Sequence, residues 1–218
     1  MADPYQGYAG FLQPNDANGD YDATSFVVTR LMNRLATTAL VQVKAVTTAG
    51  AVAAVGFVDV APMVNQVDGI GDPQPHDTIY NLPYVRIQGG GNAVILDPVI
   101  GDIGLAVFCS RDISTVKRTK AIGNPGSRRT FDWADGLYIG GVLNGIPTQY
   151  VQFNSSGITV KSPQTITLTG NSIVLNGATT VNGNVGTTGS LTNNGHAVGS
   201  THEHTGVTTG TGISGPPQ

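Results

Sequence analysis

Charge is what this chain has least of. Of its 218 residues, 11 are Lys or Arg and 14 are Asp or Glu, so 11% carry charge, against about a quarter in an ordinary globular domain. A net charge of −3 argues against a strongly basic nucleic-acid binder and against an acidic solvating tail. Aromatic residues make up only 6%, too few to furnish a stacking platform for bases beside the modest basic cluster Lys117, Arg118, Lys120, Arg128 and Arg129. The single cysteine, Cys109, excludes an intrachain disulfide, and its apolar neighbours predict a buried, inert thiol. Long hydrophobic runs are missing as well. The longest apolar and glycine stretch, 49–58, falls far short of the roughly 20 residues that cross a bilayer. Met1-Ala2-Asp3-Pro4 has neither the basic start nor the apolar core of a signal peptide. The sequence also lacks a Gly-x-Ser-x-Gly elbow, a Walker loop and a His-Glu-x-x-His helix, so no enzyme is expected.

The charge that is present stops abruptly. Beyond Asp135 only Lys161 and Glu203, the one Glu of the chain, are charged. A stretch of more than eighty residues rich in Gly, Thr, Ser and Asn is either a disordered linker or a repetitive β structure. Its apolar residues decide for the second. Ile158 and Val160, Ile166 and Leu168, and Ile173 and Leu175 are pairs two apart, each on one face of a short strand; Val181, Val185, Leu191 and Val198 continue the row. Gly170, Gly177, Gly183, Gly189 and Gly195 punctuate it every six or seven residues, and Asn176, Asn182 and Asn194 precede three of them. Asn-Gly pairs supply positive φ at low steric cost, which predicts turns or kinks there. One such stripe cannot close a core. Three copies around a threefold axis can, and winding them together leaves no free sheet edge. A monomeric β-solenoid is the other repetitive architecture, although its rungs are usually longer.

Before Asp135 the pattern is ordinary. Residues 1–39 read as an irregular arm followed by a short amphipathic helix from Thr24 to about Ala39, capped by Thr24 or Ser25. Residues 40–125 read as five short strands, beginning at Val41, Ala51, Val85, Ala93 and Gly104, with Gly89–Gly91 as a hairpin turn. That count suits an OB-fold barrel, with an SH3-like barrel or split sandwich as alternatives. Residues 126–136 follow as a linker, 137–199 as the trimeric β-helix and 200–218 as its tip.

Four histidines remain to be placed. His76 in a Pro-rich loop is expected in solvent, and His196 on a lateral surface. In Thr201-His202-Glu203-His204-Thr205, an extended backbone turns both imidazoles to one side and Glu203 to the other. In a trimer, His202 and His204 become six imidazoles on the axis, enough for an octahedral transition metal. That chemistry favours Fe or Ni over tetrahedral Zn.

The run Gly101-Asp102-Ile103-Gly104-Leu105-Ala106-Val107-Phe108, followed by Ser110-Arg111-Asp112-Ile113, Ser127-Arg128-Arg129 and Asp135-Gly136, resembles the N-terminal barrel of central spike proteins of contractile-tailed bacteriophages, the baseplate assembly protein V group among them. The ending His202-Glu203-His204-Thr205-Gly206-Val207 is similar to the tip of the same spikes. The resemblance implies an all-β homotrimer: an OB-fold barrel with a short helix, then an intertwined trimeric β-helix needle. It further implies one Fe ion per trimer at the point, held by His202 and His204, and a baseplate hub protein bound through the N-terminal region. It places the protein in the virion, at the tail baseplate tip, after assembly in the host cytoplasm, and makes the host outer membrane a transient partner. Some related spikes carry a lysozyme domain between barrel and needle, but the dozen or so residues between Lys120 and Trp133 leave no room for one. A trimeric fibre or adhesin that binds a host receptor is the competing expectation, and a monomeric OB-fold nucleic-acid module with a disordered tail is a third.

Overall fold

The computed structural model describes residues 19–47, 52–67, 72–199, 206 and 210. The chain divides into two units, Met1–Thr148 and Gln149–Gln218.

The first unit opens with helix α1 (Asp20–Met32). It begins four residues before the expected Thr24, because Asp20 and Asp22 place carboxylates in the first turn, where the helix dipole favours them. Thr24 lies inside the helix, its hydroxyl bonded to the Asp20 carbonyl. Strands β1 (Thr38–Val46) and β2 (Phe57–Pro62) follow. Next come two short pairing partners, β3 (Gln66–Val67) and β4 (Pro73–Gln74), and then β5 (Ile79–Pro83). β6 (Ile87–Gly89) and β7 (Asn92–Val94) form a separate hairpin, with Gly90 at φ 56° in its turn. β8 (Ile103–Phe108), helix α2 (Ser114–Thr119), a 3-10 turn at Trp133–Asp135 and β9 (Gly136–Gly141) complete the unit.

The main sheet has the order β5-β2-β1-β8-β9, with every neighbouring pair antiparallel. It curls into a half-barrel whose outer strands meet where Tyr84 pairs with Tyr138 and the Val85 amide donates to the Tyr138 carbonyl. The core lies on the concave face. Alternation sends Val41 and Val43 of β1, Val58 and Val60 of β2, and Ala106 and Phe108 of β8 inward, to meet Ile79, Leu82, Tyr84 and Tyr138. Gly104 is part of this packing: a Cβ there would strike the Tyr138 ring and the Gly140 carbonyl. The two members of the main sheet that differ from the expected five are β5 and β9. The segments 85–88 and 93–96 supply the separate hairpin β6–β7, with the Val85 amide bonded to Tyr138, and β9, which includes residue 137, pairs with β8. The second expected strand is also shorter, starting at Phe57 and not at Ala51. Cys109 is half-buried, not enclosed, because it follows β8 beside α2 and not within the barrel interior.

Two ion-pair systems hold the loops. Arg86 and Asp97, both almost fully buried, pair at 2.6 Å across the base of the β6–β7 hairpin. Arg129 grips the fully buried Asp135 with two nitrogens, at 2.6 and 2.8 Å, and reaches Asp112 at 3.0 Å. The Ser127 hydroxyl and the Ser114 amide also donate to Asp112, and the Ile113 amide donates to Asp135. Bonds from Ser114 first, then from Ser127, together with the Arg129 charge, hold the Asp112 carboxyl at a pKa of about 2. The Asp135 carboxyl is likewise lowered, chiefly by Arg129. The scattered residues Asp112, Ser127, Arg129 and Asp135 thus form one polar clamp around the start of β9.

Candidate assembly surface and tip

The second unit has a backbone shaped by its glycines and asparagines. Strands β10 (Tyr150–Asn154) and β11 (Gly157–Lys161) form a hairpin whose turn is fixed by the Asn154 carboxamide oxygen, which accepts from the amide and hydroxyl of Ser156. Beyond it, Gly177 and Gly183 take φ of 140° and 156°. Asn194 and Gly195, at φ 49° and 80°, turn the chain between β12 (Thr192–Asn193) and β13 (His196–Ala197). All three Asn-Gly glycines therefore have positive φ, whereas Gly170 and Gly189, each preceded by Thr, do not. Among these five glycines a preceding asparagine marks the positive φ.

The hairpin register sets Val151 opposite Val160 and Phe153 opposite Ile158, giving one face four apolar side chains. The other face carries Gln152, Thr159 and the pair Tyr150 and Lys161, whose ammonium lies 5.8 Å from the ring centroid. No described residue of this unit buries the apolar face. From 149 to 199 not one residue is buried. The aliphatic and aromatic side chains of the row are exposed by 45% at Leu191 and Val198 up to 75% at Phe153. Between β11 and β12, Ile166, Leu168, Ile173, Leu175, Val181 and Val185 project from backbone that pairs with no described strand of its own chain. An isolated two-stranded hairpin is marginal in water, and an apolar surface of this length is far larger than a monomer normally exposes. Lys161 is the only charged side chain among the described residues of the unit, so no charge interrupts the row beyond it.

His202 and His204, the expected metal ligands, lie outside the described residues. Gly206, two residues beyond, has φ 81°, a turn conformation. Among the described residues no group of three or more His, Cys, Asp or Glu side chains is placed to hold a metal ion. His196 is exposed on β13, as is the apolar row of the same unit. His76 differs from expectation: it is half-buried against Trp133, the ring centroids 5.1 Å apart. Sequence reasoning named the apolar row from Ile158 onward but missed Val151 and Phe153, which precede it. Their alternation with Tyr150, Gln152 and Asn154 was the available signal.

No helix among the described residues is long and apolar enough to cross a membrane. No family model matches the chain, and no curated protein matches it.

Proposed function

We propose that the protein is the central spike of a contractile-tail baseplate, a homotrimer that pierces the host outer membrane mechanically and has no catalytic role. One observation carries this reading: an almost charge-free C-terminal unit whose regularly spaced apolar row stays exposed among the described residues. Three such rows meeting on an axis bury one another. The backbone between β11 and β12, unpaired within the chain, then takes its ladder partners from the neighbouring copies. Interchain hydrogen bonding resists splaying, because chains can separate only by unwinding. The shortage of charge fits passage through hydrocarbon, where each exposed ion is costly.

The first unit is read as an OB-type barrel. Its five main strands, numbered in chain order, run three-two-one-four-five across the sheet, and the third and fifth touch in parallel at Tyr84 and Tyr138. This arrangement supports the partly open five-stranded Greek-key barrel of that class. A hub protein would engage this N-terminal unit within the virion.

At the opposite end of the sequence, His202 and His204 of three chains would supply six imidazoles to one iron ion, with nickel the chemical alternative. The metal would tie the three chain ends together where the apolar row has stopped. Sedimentation of the purified protein and metal analysis test the proposal together. A trimer holding about one transition-metal ion per three chains, lost on His202→Ala or His204→Ala, is the expected result. A clean monomer would overturn the spike reading, and a metal-free trimer would overturn the tip alone.

A further inference from the structure

Beside α2 lies an apolar trough of about 710 Å³, within the ~300–1,000 Å³ range of ligand-sized pockets. Pro83, Ile113, Val116 and Leu137 line it, and Ile122 stands fully exposed at its rim. The trough exists because α2 is only six residues long, with none of them buried, and leaves this surface uncovered.

Its border is basic. Lys117 is anchored there, its ammonium donating to the carbonyls of Asn81 and Ala134 at 3.3 and 3.1 Å. Lys120 lies with its ammonium 5.6 Å from the Phe57 ring centroid, and Arg118 is exposed on the same helix. Lys117, Arg118 and Lys120 are the cations of this border, since Arg129 is engaged by Asp112 and Asp135. The complementary composition occurs at the N-terminus. Residues 1–18 contain Asp3 and Asp16 and no Lys or Arg, and they carry Tyr5, Tyr8, Phe11 and Leu12 in a chain otherwise poor in aromatics.

We propose that the N-terminal segment, residues 1–18, docks in this trough, with Phe11 and Leu12 on its apolar lining and the two aspartates facing its basic border. Eighteen residues span up to about 60 Å when extended, so reach does not restrict the contact, whether within one chain or onto a neighbouring copy. The inference stands apart from the spike reading, since it needs neither the trimer nor the metal.

Cys109, the one thiol of the chain, lines the same trough and reports on its cover. The test is the rate at which N-ethylmaleimide alkylates Cys109 in the native full-length protein. The double variant Phe11→Asp/Leu12→Asp should react at least about tenfold faster than wild type. Lys120→Glu should also react faster, and added salt should narrow the difference between wild type and Lys120→Glu by screening the attraction. Circular dichroism verifies that each variant keeps its sheet. As a second readout, Phe11→Cys under mild oxidation should yield a disulfide to Cys109, identified by peptide mass spectrometry, well above the yield from Ser155→Cys. Equal alkylation rates in wild type and the Phe11/Leu12 variant would overturn the proposal. That includes equal protection in both, which would assign the cover to a second copy or another protein.

Discussion

Leu168 offers the sharpest test of the buried row. It is 70% exposed in the single chain, and neither neighbouring strand of its own chain covers it. If the row points at solvent, Leu168→Ala is a surface substitution worth no more than about 0.5 kcal/mol in either direction. If three rows meet on an axis, the change removes three carbons per copy. At ~0.8 kcal/mol per buried carbon, scaled by the exposed fraction, that is about 1.7 kcal/mol per chain and about 5 kcal/mol per trimer. Such a loss corresponds to between three and four decades in the trimer equilibrium constant. The assay is sedimentation velocity across a guanidinium series, reading the denaturant concentration at which the trimer is lost. Thr167→Ala, one residue away and on the opposite face of an extended segment, serves as control and should leave the midpoint in place. Leu168→Asp, which puts three carboxylates on the axis, should prevent trimerisation outright. If the Leu168→Ala midpoint coincides with those of wild type and Thr167→Ala, the row is not buried and the argument for a trimeric needle collapses.

The remaining predictions concern the first unit. Asp112 and Asp135 have folded-state pKa values below those of unfolded carboxylates, so the folded state binds fewer protons as pH falls from about 4 towards 2, and their stabilisation disappears across that window. Acid titration followed by near-ultraviolet circular dichroism should show the barrel unfolding there, and Asp112→Asn should flatten the response. Arg129→Ala leaves Asp135 buried without its counter-charge and should cost roughly 3 kcal/mol in chemical unfolding, the low end for a broken buried pair because Arg129 is 34% exposed. Arg129→Lys should recover only part of this, having no fork to span both carboxylate oxygens. Gly104→Ala drives a methyl into the Tyr138 ring and a carbonyl and should destabilise the barrel by about 1–3 kcal/mol, whereas the same change at Gly145, where nothing lies near, should be close to neutral.

The parts of the fold legible in the sequence are those governed by local pattern. β8 alternates strictly between buried and half-buried residues, β1 does so through Val41 and Val43, and both were placed within three positions. β5 escaped because its burial does not alternate. Asn81 sits at φ 59° with its amide bonded to Asp59, forming an irregularity that breaks the period between Ile79 and Leu82. β9 escaped for a compositional reason: Gly136, Gly140 and Gly141 make it resemble the tail that follows, and its Tyr138 declares itself core only against Gly104, more than thirty residues earlier. The break in charge at Asp135 accordingly precedes the division between the units at Thr148 and Gln149. The Arg129 clamp is a long-range convergence that no local period encodes. In the second unit the apolar row was legible because its residues recur at short, regular spacings, and the structure leaves them exposed. The expected metal ligands, His202 and His204, rest on spacing alone and lie outside the described residues.

The absence of any buried residue between 149 and 199 also has a kinetic meaning. The first unit has a core of its own and can collapse as soon as it leaves the ribosome. In the proposed trimer the second gains its core only through encounter with two other chains, so its maturation would follow the concentration of folded first units, not the clock of a single molecule. During that wait every nascent chain would display an adhesive, uncharged strip, and the Asn-Gly kinks that interrupt it would hinder the flat, in-register stacking by which such strips aggregate.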